Sequence, residues 1–237
     1  KKNGVAGMTT EYDDRGFIVK QTYLGTDKTP IFVASAGYAG YTAKCDENGF
    51  FIEQEFFDPD GKTCETSQGN SKIIMVNDKF GNELESWRYD INGDLCLDPN
   101  GIAGRTCKYD SIGNVIEIVY FGKDKKPTLN EQGEAGIRLK YDERNLQTEM
   151  LTLDENLNPA FDDNHICLVR YEYDKRGNMT KIAFYDEGGT KLVHSNENVA
   201  GWNIIYDDLG NEIERSFFDS KNALCEVVGG YAKKTRT

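Results

Sequence analysis

The sequence predicts an all-β repeat array of about seven β-hairpin units with irregular return loops, either solenoid-like or an extended twisted antiparallel sheet. Three observations predict it. Asp-x-x-Gly, or a close relative, recurs at Asp13, Asp46, Asp78, Asp110, Asp142, Asp174 and Asp207, at steps of 33, 32, 32, 32, 32 and 33 residues. The residues before each Asp alternate apolar and polar, the period of a strand with one buried face. No segment keeps a helical period over three turns. A period of this length means one supersecondary unit copied along the chain, each copy burying its apolar face against its neighbours. The expectation is a single continuous repeat domain, 1–237.

Counting from each Asp, positions −5, −3 and −1 are mostly apolar or aromatic and −4 and −2 mostly polar, as in Ile137, Leu139 and Tyr141 against Arg138 and Lys140. This is the first strand. Position −1 reads Tyr12, Cys45, Asn77, Tyr109, Tyr141, Tyr173 and Tyr206, which predicts an aromatic ladder of stacked tyrosines. The Asp then opens a turn closed by Gly16, Gly49, Gly81, Gly113, Gly177 and Gly210. Asp bonds the backbone two residues ahead and Gly takes positive φ without a clash, which suits a type I turn followed by a bulge. Asn145 stands in the fifth copy, the next most tolerant residue type in the left-handed region.

The second strand carries an apolar residue at +6 (Val19, Ile52, Leu84, Ile116, Ile213), a charge at +7, and an aromatic or Leu at +11 (Leu24, Phe57, Tyr89, Phe121, Leu153, Tyr185, Phe218). The +6 and +11 rows differ in parity, so a bulge or a bend lies between them. Further turn signals follow, such as Asp58-Pro59-Asp60-Gly61 and Asn100-Gly101, and then small pairs such as Ala135-Gly136. The return loop is expected to be irregular or partly helical.

Composition narrows the function classes. The formal charge of −12 argues against nucleic acid or an anionic membrane as partner, and leaves basic ligands or divalent cations open. No apolar run reaches the roughly 18 residues of a membrane span. Val5 to Gly7 matches Tyr38 to Gly40 and Ile102 to Gly104, so the chain is expected to open in mid-unit as a piece of something longer, with any targeting signal outside it. Cys64, Cys96 and Cys225 fall 18 residues after their Asp, where other copies carry Ile31, Thr128, Ala160 and Leu192. Buried free thiols are the expectation, with a Cys64–Cys96 pair as the alternative.

Each acidic turn offers too few oxygens for calcium, so no metal and no cofactor are assigned, and the Asp and Gly rows are read as structural turns. His165 and His194 lie in irregular segments without a nucleophile elbow, and no carboxylate pair stands out as a glycosidase dyad. No catalytic residue is assigned. The candidate ligand row is +10: Tyr23, Phe56, Tyr120, Phe184 and Phe217. Exposed, these rings would stack on the apolar faces of sugars; otherwise they are core between sheet and return loop.

The unit Tyr-Asp-x-x-Gly-Asn, clear in Tyr109-Asp110-Ser111-Ile112-Gly113-Asn114 and Tyr206-Asp207-Asp208-Leu209-Gly210-Asn211, resembles the YD repeats of bacterial Rhs-type proteins, with a longer 32-residue unit. The resemblance implies a β-rich extracellular or cell-surface module and no catalytic residue. The expected function is a noncatalytic binding or scaffold segment with a protein or glycan partner; the alternatives are a carbohydrate or cell-wall-polymer binding module and a shell or spacer segment of a larger Rhs-like protein. Open repeat ends predict self-association through unpaired edges.

Overall fold

The computed structural model describes residues 4–235 except 191, 194 and 229. Among them there is no helix; fifteen strands form one sheet whose strand order equals chain order. The chain divides into two compact units. The first spans residues 1–114 and 119–126 and holds β1 (Gly7–Tyr12), β2 (Ile18–Leu24), β3 (Gly40–Cys45), β4 (Phe51–Phe57), β5 (Lys72–Asn77), β6 (Glu83–Tyr89) and β7 (Gly104–Tyr109). β8 (Val115–Phe121) is divided between the two. The second spans 115–118 and 127–237 and holds β9 (Gly136–Tyr141), β10 (Gln147–Leu153), β11 (Leu168–Tyr173), β12 (Met179–Tyr185), β13 (Gly201–Tyr206), β14 (Glu212–Phe218) and β15 (Lys233–Thr235).

In the first unit the hairpin β3/β4 sets the pattern. Gly40 pairs with Phe57, Tyr41 with Phe56 and Lys44 with Glu53, and then the register slips so that Cys45 faces Phe51. The slipped residue is Ile52, at +6. The same slip recurs between Glu11 and Tyr12 and between Val76 and Asn77. A bulge at +6 thus resolves the parity conflict, with no bend required, and it places +10 and +11 on opposite faces because successive strand residues alternate. The second unit repeats the register, with slips at Gln147/Glu149, Glu172/Tyr173 and Ile205/Tyr206.

Every hairpin turn is built alike. In the first copy Asp13 N–H donates to Phe17 O and Gly16 N–H to Asp13 O, and Gly16 sits at φ 85°. Each of the seven copies has three such turns, the left-handed position being filled mostly by Gly but also by Lys28, Lys125, Asn145, Leu157, His165, Asn198 and Asn222. The return segment is therefore two more tight turns joined by a short bridge, such as Phe57↔Thr63 or Leu153↔Pro159, and contains no helical part. Left-handed turn residues eight to twelve apart, as at Gly49, Gly61 and Gly69, leave no uninterrupted stretch for three turns of helix between their flanking strands.

The bridge presses an apolar slot onto +10. Cys64 N–H donates to Phe56 O, Cys96 N–H to Arg88 O and Cys225 N–H to Phe217 O. In the sixth copy Val193, not Leu192, makes this bond, to Phe184 O, because that copy carries one extra residue between the left-handed Gly189 and the bridge. The six cysteines are free; Cys96, Cys107 and Cys167 are buried, while Cys64 and Cys225, expected to be buried, are half-buried because the return segment covers their slot only in part. Burial pushes the Cys167 thiol up to about 11.

Candidate functional site

The +10 row sits in the core. Phe56, Phe184 and Phe217 are 7%, 5% and 7% exposed, while Tyr23 and Tyr120 are half-buried. Their partners stand at −8, a row that the sequence did not single out. In the first unit Tyr38 lies between Tyr23 and Phe56, with ring centroids 6.0 and 4.8 Å away; in the second, Val199 packs with Val169, Phe184 and Phe217, and Tyr231 lies 5.7 Å from Phe217. The +10 and −8 side chains thus alternate along a spine between sheet and return segment. Three of the five candidate rings therefore have no face free for a sugar, and burial also pushes the Tyr38 phenol up to about 12. The spine turns polar in the third copy, where Asn70 is buried and Arg88 lies 3.7 Å from the buried Asp98 carboxylate.

The tyrosines at −1 form a row of hydrogen-bond donors and not a stacked ladder. Tyr109 Oη donates to Glu83 O, Tyr141 Oη to Val115 O, Tyr173 Oη to Gln147 O and Tyr206 Oη to Met179 O. Each acceptor is the +5 carbonyl of the preceding copy. Asn77 Nδ2 reaches Phe51 O at 2.8 Å and Cys45 Sγ lies 3.6 Å from Ile18 O, so the two apparent exceptions also place a donor there. Successive first strands are two strand spacings apart, roughly 9–10 Å, beyond the roughly 4.5–7 Å of a ring pair.

The turn carboxylates are occupied. Asp13 Oδ1 accepts the N–H groups of Arg15 and Phe17. Asp46, Asp78, Asp110, Asp142, Asp174 and Asp207 do the same with residues +2 and +4. The side-chain amide of Asn82 on Asp78 and the Phe17 amide on Asp13 hold those carboxyls below the usual range. Asp110, Asp142, Asp174 and Asp207 are lowered by equivalent bonds. Among the described residues no group of three or more metal-ligating side chains forms. His165 holds a left-handed turn position, φ 63°, stacked on Phe161 at 4.6 Å. His194 lies outside the described residues.

One face of the sheet carries cross-strand ion pairs between +7 and −2: Lys20–Glu11, Lys44–Glu53, Lys140–Glu149 and Lys181–Glu172. In the first and sixth copies both signs are reversed together, so what the copies preserve is complementarity, not either residue. The tips of the hairpins carry the +2 residues. Three of these are arginines that reach the next tip: Arg15 Nη1 donates to Asp46 O at 3.3 Å, Arg144 Nη1 to Asp174 O at 2.6 Å, and Arg176 Nη1 to Asp208 O. In the third and fourth copies the +2 residues are Phe80 and Ile112, 71% and 73% exposed. They flank a groove of about 470 Å³ in the first unit, lined also by Asp78, Leu84, Tyr109 and Asp110.

The fold defines a class of architecture, an antiparallel β-hairpin repeat array. No family model and no curated protein matches the chain. Among solved structures it is similar to the Tc holotoxin pore of Photorhabdus luminescens and to a TcdB2-TccC3-TEV complex, each at 13% identity and a TM-score of 0.40. In both cases the match covers 90% of this chain and 12% of the other, so the chain spans about an eighth of their length. At that identity and TM-score the likeness carries no argument about role.

Proposed function

We propose that the chain is a noncatalytic scaffold segment whose repeats are built to hold one another in line. The observation that supports this most is the −1 to +5 bond, made by Tyr, Asn or Cys in copies two to seven. A donor kept through three residue types serves the joint between copies. The assignment to a surface or secreted bacterial protein rests on the YD-type motif alone. Self-association through the outer edges of β1 and β15 belongs to the same reading, since unpaired edges template further strands.

A glycan-array and cell-wall-polymer screen of the 237-residue chain tests the reading. A scaffold gives no saturable binding. Saturable binding abolished by Tyr23→Ala and Tyr120→Ala, in variants that keep the wild-type circular dichroism, would establish the carbohydrate-binding alternative through the two half-buried rings of the row.

A further inference from the structure

The hairpin tips show which side chain fits between neighbouring copies. At the Asp174 tip the chain supplies it: Arg176 crosses to the carbonyl of Asp208, at the edge of a groove of about 510 Å³ lined by Asp174, Thr180, Tyr206 and Asp207. The groove between the Asp78 and Asp110 tips has the same place in the repeat, with Leu84, Tyr109 and Asp110 for Thr180, Tyr206 and Asp207. The carbonyl equivalent to that of Asp208 belongs to Ser111, and the side chain opposite is Phe80, which has no donor to offer it.

Phe80 and Ile112 are exposed apolar residues at positions where other copies place a bridging arginine. They bury little within the fold, and a local rule broken without an internal gain points to a site of interaction. The groove also has a charge. Asp78 and Asp110 sit on its rim with carboxyls held below the usual range by Asn82 and Asn114, in a protein of net charge −12. The Nζ of Lys79 stands 4.8 Å from the centroid of the Phe80 ring, so this ring accepts a cation on its face. Arg15 offers the same combination internally, stacking on Phe17 at 4.7 Å while donating to the next tip.

We propose that the groove between the Asp78 and Asp110 tips is a docking site for a partner protein segment bearing an arginine flanked by apolar residues. The guanidinium enters where the chain's own arginines lie in copies one, five and six, and the flanking residues cover Phe80 and Ile112. Arginine is preferred to lysine because a planar guanidinium can stack on the ring and donate to a backbone carbonyl at once.

The test is fluorescence anisotropy of a labelled Gly-Leu-Arg-Leu-Gly peptide titrated with the full chain, beside the same peptide carrying lysine or citrulline. The arginine peptide should bind, with the neutral citrulline peptide at least about tenfold weaker. Phe80→Arg, which gives this tip the arginine that Arg176 provides at its own, should abolish binding. Leu209→Arg, which adds the same charge at another exposed tip, should leave it unchanged. Ile112→Ser provides a second loss-of-binding variant without added charge. The proposal is overturned if the arginine peptide does not bind, if citrulline binds equally well, or if Phe80→Arg binds like the wild type.

Discussion

Gly104 and Gly7 occupy the same repeat position, six residues before the turn Asp, and replacing each by Ala should have opposite effects. A Cβ on Gly104 would meet the Trp87 ring at 2.3 Å and the Ser86 carbonyl oxygen at 2.7 Å. The ring is able to turn, but the carbonyl is not: it belongs to β6, whose Trp87 is paired in register with Gly104. Trp87 is itself held by Phe121, 5.5 Å away, and by its Nε1 bond to Glu85. Overpacking of this kind costs about 1–3 kcal/mol, against about 0.4–1 kcal/mol recovered from the stiffer unfolded chain. The net loss is about 1–2 kcal/mol, or a few degrees of melting temperature for a chain of this size. At Gly7 nothing lies within 4 Å, so only the unfolded-state gain remains and stability should hold or rise. Urea titrations of both variants make the comparison. Equal midpoints for Gly104→Ala and wild type, or an equal fall in both variants, would refute the argument that close approach of adjacent copies selects glycine here.

Phe184→Ala should cost about 3–5 kcal/mol in the same titration, the range for emptying an aromatic core position; a change within about 0.5 kcal/mol is what a surface ring would give. Leu157→Gly should stabilise by about 0.5–1 kcal/mol, since Leu157 is held at φ 62° and a left-handed L-residue costs roughly 1–2 kcal/mol. A lower midpoint would show that its side chain contributes more than its backbone loses. Acid should weaken the fold: Asp13, Asp78, Asp110, Asp142, Asp154, Asp174 and Asp207 all titrate below the ordinary aspartate value of 3.8. Their contribution is complete above that value and lost as pH falls through the lowered ones. Glu134, raised by burial, has the opposite sign. Unfolding free energies as high at pH 3 as at pH 6 would contradict this.

The turns were the most legible part of the chain because their chemistry is local. Asp, Gly and Asn constrain a few neighbouring dihedrals, so Gly16 and Asn145 could be placed before any contact was known. The strands were legible for a related reason, as alternation records which face meets water. The return segment was less so: turn residues such as Lys28, Leu157 and His165 carry no left-handed signature, and its two turns are joined by a bridge to the second strand that no local residue type announces.

What the aromatic rows do was beyond sequence reasoning. Tyr23, Phe56, Phe184 and Phe217 look the same as strings whether they face water or lie under a return segment, and the deciding partner at −8 is remote along the chain, as Tyr38 is from Phe56. The −1 row misled in the same manner, since Tyr, Asn and Cys share no hydrophobicity, only a donor aimed at a carbonyl 26 or 27 residues back. The amino-acid sequence by itself determined the repeat, the hairpin and the turn, because each depends on the conformational limits of a few adjacent residues. The tertiary structure decided which face is core, which donors join the copies and which tips stay apolar and exposed, because those depend on what a neighbouring copy brings within a few ångströms.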